Sequence, residues 1–207
     1  MMTNNTVIPF TTSLAKRFET QLKKIYVGQS AMKKRRSILN NVNITDNGSV
    51  QITNSYVAAQ LENTDAAASQ LDQYPDMTKL FEVDRSRIDE SVQIYWEDLK
   101  LLEDHLNVIY KQKIDNVKIT LSNTGITIEN AMRNNDAPFL KSEIRSTLLT
   151  DKDHSFNINP RYLHDCLMFF RQIYKRGYYI RVWTYKNNLI KFTYQELTYV
   201  IAPIRSY

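Results

Sequence analysis

Apolar residues in this chain recur at two spacings, every second position over short runs and every third or fourth over longer ones, and the two kinds of run alternate. Val7-Ile8-Pro9-Phe10 predicts a short strand. Thr12 or Ser13 is placed to cap a helix to about Tyr26, with Leu14, Phe18, Leu22 and Ile25 on one face. Beyond a basic loop, Lys33-Lys34-Arg35-Arg36, the pattern predicts extended chain over Ile38 to Thr45, a turn at Asp46-Asn47-Gly48, and strands at Val50 to Thr53 and around Tyr56 to Leu61. The order is β-α-β-β-β.

That order returns twice. Val92 to Trp96 alternates as a strand, and a helix from about Glu97 to Gln112 carries Leu99, Leu102, Leu106 and Ile109 on one face, with Glu97 and Asp98 at its electropositive start. Val117 to Leu121, a turn at Asn123-Thr124-Gly125, Ile126 to Ile128 and Leu140 to Leu148 supply three more strands. The third copy opens with Phe156-Asn157-Ile158. Asn159 is placed to cap and Pro160 to occupy the first helical position, where a missing N–H costs nothing. This helix runs to about Arg176 and stops at Gly177, with Leu163, Cys166 or Leu167, Phe170 and Ile173 or Tyr174 as its apolar stripe; strands follow at Tyr179 to Trp183, Leu189 to Phe192 and Thr198 to Ile204. Glu62 to Glu90 is polar and rich in Ala and Asp apart from Tyr74-Pro75-Asp76-Met77 and Leu80-Phe81, which predicts a linker with one anchored turn. The expected organisation is α+β, with a half domain plus linker at 1–82 and a two-unit domain at 83–207.

With 43% hydrophobic residues in 207, the chain can bury a proper core. It has no run of 18 apolar residues, and Met1 to Asn5 lacks the basic-then-apolar order of a secretion signal, so a cytoplasmic protein without a membrane partner is expected. The single cysteine, Cys166, sits in an apolar stripe and reads as a buried structural thiol. Twenty-seven Lys and Arg against 22 Asp and Glu give a net charge of +5, a mild bias that suits a polyanion only if the cations share a surface.

Three segments carry a family resemblance. Phe156-Asn157-Ile158-Asn159-Pro160-Arg161-Tyr162-Leu163-His164-Asp165-Cys166-Leu167 resembles the Phe-x-x-Asn-x-x-Tyr-Leu-x-Asp-x-Leu opening of the last helix of the bacterial DNA polymerase III beta subunit, the DNA sliding clamp. Tyr199-Val200-Ile201-Ala202-Pro203-Ile204-Arg205 resembles that family's Tyr-Val-x-x-Pro-x-Arg ending, and Lys118 to Leu121 with Gly125 to Glu129 sits where the family has paired strands. The first copy is similar to the opening half of another clamp domain, through Ile38 to Val42, Ile52-Thr53-Asn54 and Tyr74-Pro75-Asp76. Family members pair their β-α-β-β-β units and close rings of twelve, whereas three are counted here. The resemblance therefore implies a shortened member, of phage or plasmid type, whose lone N-terminal unit pairs with its counterpart in another copy to build a homo-oligomeric ring.

The family lines its hole with helices and walls it with sheets, which implies helix faces basic toward duplex DNA. Lys16, Lys23 and Lys24 on the first helix, Lys100 on the second, and Arg161, Arg171 and Lys175 on the third are the candidate phosphate contacts. The second helix mixes its lysines with Glu103 and Asp104, and lysines opposite an apolar stripe also serve solubility alone. A protein that slides needs contacts to phosphates rather than bases, and no helix-turn-helix arrangement is legible. The resemblance further implies an apolar pocket for peptides of the DNA polymerase and clamp loader, lined by Val200, Ala202, Pro203 and Ile204 with Arg205 at its edge; the alternation equally suits the buried face of a last strand. Where the family pocket uses Gly-His-Arg-Leu after Thr-Asp, this chain has Ser55-Tyr56-Val57-Ala58 after Thr53-Asn54.

No catalytic, metal or cofactor site is expected. His105, His154 and His164 lack metal-ligand spacing, four glycines form no phosphate-cradling loop, and Asp151-Lys152-Asp153-His154 reads as a charged turn. Against the sliding clamp stands a clamp homologue that binds a host clamp, loader or polymerase without encircling DNA, and beyond that a structural α+β protein.

Overall fold

A computed structural model describes residues 7–26, 39, 41–82, 88–112, 114–130, 141–145, 153–185 and 189–202. It divides into two compact units, 1–83 with 195–200, and 84–194 with 201–207. Residues 195–200, which chain order places with the second domain, thus group with the first.

In the first unit, α1 (Thr12–Tyr26) precedes β1 (Asn43–Ile44), β2 (Val50–Thr53) and β3 (Val57–Leu61), and α2 (Thr78–Phe81) ends the connecting stretch. Its strands lie in the order β1-β2-β3-β11, where β11 is Leu197–Ile201. The predicted stripe of α1 is the buried one, with Leu14, Phe18, Leu22 and Ile25 all at or below 8% exposure, and it packs on β2, whose Val50 and Ile52 are fully covered. The β2–β3 turn is built on Asn54: its Oδ1 accepts from the backbone of Tyr56 and Val57, and its Nδ2 donates to the Ile25 carbonyl at 2.6 Å. That donor satisfies one of the carbonyls a helix leaves bare at its C-terminus.

Two expectations for this unit need correcting. Over Val7 to Phe10 only Ile8 pairs, as an isolated parallel bridge to Thr64, because Pro9 has no N–H to continue a ladder. Of Ile38 to Thr45 only Asn43 and Ile44 form a strand, pairing with Gln51 and Val50; Ile38 and Asn40 lie outside the described residues, as does the basic loop Lys33 to Arg36.

The second unit holds β4 (Ile88–Tyr95), α3 (Trp96–Lys111), β5 (Val117–Ser122), β6 (Gly125–Asn130), β7 (Lys141–Arg145), β8 (His154–Ile158), α4 (Pro160–Tyr174), β9 (Tyr179–Tyr185) and β10 (Ile190–Tyr194). The two β-α-β-β-β copies exchange their first strands. β8, which opens the third copy, pairs with β5 of the second in a sheet ordered β7-β6-β5-β8, and β4, which opens the second, pairs with β9 of the third in the order β10-β9-β4. Each copy thereby closes the open edge of the other. The pairs β1–β2, β2–β3, β9–β10, β4–β9, β5–β6, β5–β8 and β6–β7 are antiparallel.

The cap predicted at Asn159 is present, its Oδ1 accepting from Arg161 N at 2.9 Å, with Pro160 in the first turn. Both Cys166 and Leu167 are buried, together with Phe169, which the stripe alone does not pick out; α3 and α4 pack on one another, so a wider arc of α4 is covered. His154, expected in a charged turn, is a buried residue of β8. β4 begins at Ile88, inside the expected linker, because β9 offers a long partner strand.

Candidate nucleic-acid interface and partner surface

On α1 the burial of one stripe leaves Lys16 and Lys23 exposed and Lys24 half-buried on the remaining arc, with exposed Glu19 and half-buried Arg17 beside them. The two outermost cations, Lys16 and Lys23, are seven residues apart, two helical turns, and share a face. This is the most basic helix face of the three.

The second unit places its cations differently. Arg171 Nη2 stands 3.0 Å from Oε1 of Glu103, an otherwise buried carboxylate of α3, and also donates to Met168 Sδ. Arg161 sits with Nε 3.8 Å from Asp165 Oδ2 and its guanidinium 5.8 Å above the Tyr110 ring. Both arginines therefore have an acidic partner inside the unit, and their field outward is reduced accordingly. Lys100 and Lys175 are exposed. Lys175 ends α4 with a positive φ of 60°. The Arg161 pairing, four residues apart on one helix, was legible in the sequence; the Arg171 pairing joins two helices and was not.

Sequence reasoning missed the outward face of α3. Leu101, Val108 and Tyr110 are 48%, 53% and 44% exposed, and Leu101 and Val108 share a face with Asp104 between them. Their signal was their position off the buried stripe, two turns apart.

Of the residues assigned to a partner pocket, Val200 is buried in β11 and Ala202 is half-buried, while Pro203, Ile204 and Arg205 lie outside the described residues. Tyr199, the residue before them, is fully buried and its hydroxyl accepts from Gln21 Nε2 of α1 at 3.0 Å. The Thr53-Asn54-Ser55-Tyr56 turn has Ser55 at φ 78° and leaves Tyr56 44% exposed.

Cys166 is enclosed, and burial, with Asp165 next to it, pushes its thiol well above the ordinary range. A thiol held protonated is a poor nucleophile. Burial likewise raises the Tyr178 phenol, which packs against Tyr174 and Tyr194 with ring centroids 6.0 and 5.5 Å away. Among the described residues no cluster of three His, Cys, Asp or Glu is arranged to hold a metal ion, and no helix is long and apolar enough to cross a membrane.

No protein-family model matches the sequence, and no curated protein matches it. Solved structures do. The beta subunit of DNA polymerase of Streptococcus pyogenes superposes with a TM-score of 0.65 at 12% identity, over 93% of this chain and 64% of that one. The DNA polymerase sliding clamp of Bacillus subtilis gives 0.64 at 14% identity over 93% and 63%, and DNA polymerase III subunit beta of Borrelia burgdorferi 0.63 at 12% over 93% and 62%. The fold is that of the bacterial DNA sliding clamp, as the sequence resemblance implied. This chain spans less than two thirds of the length of those proteins.

Proposed function

We propose that this protein is a non-catalytic sliding clamp, a processivity factor that holds duplex DNA without reading its sequence and tethers a replicative polymerase. The observation that carries the reading is the basic face of α1, with Lys16, Lys23 and Lys24 opposite a buried apolar stripe in a protein of clamp fold. Lys175 and Lys100 add cations from the second unit, whereas Arg161 and Arg171 contribute less because carboxylates already face them. Such contacts go to phosphates, so affinity should fall steeply with salt and be indifferent to base sequence. With three units per chain, four chains would supply a ring of twelve, and the polymerase and clamp loader would bind through short peptides.

The decisive experiment is molar mass by light scattering, with and without circular duplex DNA, at low and moderate salt. A closed multimer retained on circles and lost from linear ends supports the clamp. A monomer or dimer without topological retention removes it in favour of the second reading, a clamp homologue that binds a replication protein and does not encircle DNA. That reading is favoured by the outward face of α3, where Leu101 and Val108 stand exposed beside Asp104 on a surface that DNA would want basic.

A further inference from the structure

The connecting stretch of the first unit folds back over the sheet and leaves an open cleft of about 690 Å3, within the size range of ligand sites. Its floor is the face of β1, β2 and β3 turned away from α1. There Asn43, Gln51 and Gln60 are each about 94–95% buried, and their side chains form a directional row: Asn43 Nδ2 donates to Gln51 Oε1 at 3.1 Å, Gln51 Nε2 to Gln60 Oε1 at 2.7 Å, and Gln60 Nε2 to Glu62 Oε1 at 2.6 Å. Leu71 N starts the row by donating to Asn43 Oδ1. A carboxamide has two N–H groups and two lone pairs. The row engages one of each on Gln51 and Gln60, and both residues line the cleft.

Met77 and Phe81 give the facing wall an apolar, buried base. Four exposed carboxylates, Asp46, Glu62, Asp76 and Glu82, stand around the opening, and no Lys, Arg or His is among the described residues that line it. Asp76 Oδ1 accepts from Thr78 N at 2.9 Å, and Lys79 on α2 adds a smaller favourable charge. In a chain of net charge +5 this is a local reversal of sign.

We propose that this cleft binds an extended, arginine- or lysine-bearing peptide segment of a partner protein. The amide row on the floor offers hydrogen-bonding groups to the peptide backbone, and the carboxylates select the cationic side chains. The site lies on the sheet face turned away from α1, and its occupancy does not depend on whether a ring forms.

The test uses the full chain and a dye-labelled hexapeptide alternating arginine with alanine, beside its isosteric citrulline counterpart. Anisotropy should show the arginine peptide binding, weakening with salt, and the citrulline peptide binding far less. Asp46→Asn with Glu62→Gln should weaken the arginine peptide about tenfold, the effect of two partly exposed ion pairs. Those substitutions leave an acceptor oxygen for Gln60, so the fold is retained. In nitrogen-15 spectra the side-chain amides of Gln51 and Gln60 should shift on titration. Equal binding of the citrulline peptide, unchanged binding to the double variant, or shifts confined to residues outside the cleft would each overturn the proposal.

Discussion

The two units solve one problem in opposite ways. In the second, β5 meets β8 from the sister copy, and its outward side chains, Lys118, Thr120 and Ser122, are exposed or half-buried. In the first, among the described residues, the equivalent edge, β1, is bridged by the chain's own connector: Ile44 and Ser69 exchange backbone hydrogen bonds at 3.2 and 2.9 Å. The same connector covers the outward face, so β2 and β3 are buried on both sides although that face carries Gln51, Thr53 and Gln60. Buried amides need partners, and here they find them in one another. A lone unit of this fold thus closes itself with a polar layer where a paired unit uses a swapped strand.

Gly48 is the tightest point of that closure. It holds φ at 75°, its carbonyl accepts from Thr64 Oγ1 at 2.6 Å, and a Cβ there would lie 2.3 Å from the Thr64 carbonyl oxygen. Gly48→Ala should cost about 3 kcal/mol, from left-handed backbone strain plus a backbone clash that no rotamer relieves. Urea unfolding measures it. Phe170→Ala in α4, a fully buried ring, should cost a similar 3–5 kcal/mol, roughly, through cavity formation. The comparison sharpens in hydrogen exchange: Gly48→Ala should release amides of β1 and β2 first, and Phe170→Ala those of α4.

A smaller loss, about 2 kcal/mol, is expected for Asn54→Asp, which removes the donor to Ile25 O and leaves a buried carbonyl without it. Asp is the residue that the family motif has at this place, so an unchanged midpoint would show that the first unit does not depend on this contact.

For DNA the two units should differ in salt dependence. Lys16→Ala and Lys23→Ala should each lower the slope of log affinity against log salt by about 0.9, whereas Arg171→Gln, whose charge already faces Glu103, should lower it by much less. Equal effects would mean that the Glu103 pair does not hold in the complex.

The smallest effect is in alkali and belongs to the second unit. Burial raises Cys166 and Tyr178, so their contribution to stability is complete below their unfolded values, near 9 and 10, and is lost as the pH rises through the raised folded values. Midpoints should decline above about pH 9, and Cys166→Ser should flatten the first part of the decline. An unchanged profile in that variant would assign the alkaline loss elsewhere.

The local sequence pattern alone determined the α1 and α3 stripes, the α4 stripe from Leu163 to Phe170 apart from Phe169, the Asn159-Pro160 start of α4 and the turns at Asp46-Asn47-Gly48 and Asn123 to Gly125, because periodicity, caps and turn residues are local properties. It also determined the repeated element order, apart from the strand expected at Val7 to Phe10, and with the Tyr199-Val200-Ile201-Ala202 and Phe156 to Leu167 motifs that was enough to reach the fold. Tertiary structure alone decided that the stretch after Glu62, read as a linker with one anchored turn, covers the sheet of the first unit, that Arg171 spends its charge on Glu103, and that Leu101 and Val108 face outward. Each of these rests on groups far apart in the chain, whose pairing depends on which surfaces are buried together, and a one-dimensional pattern does not encode that.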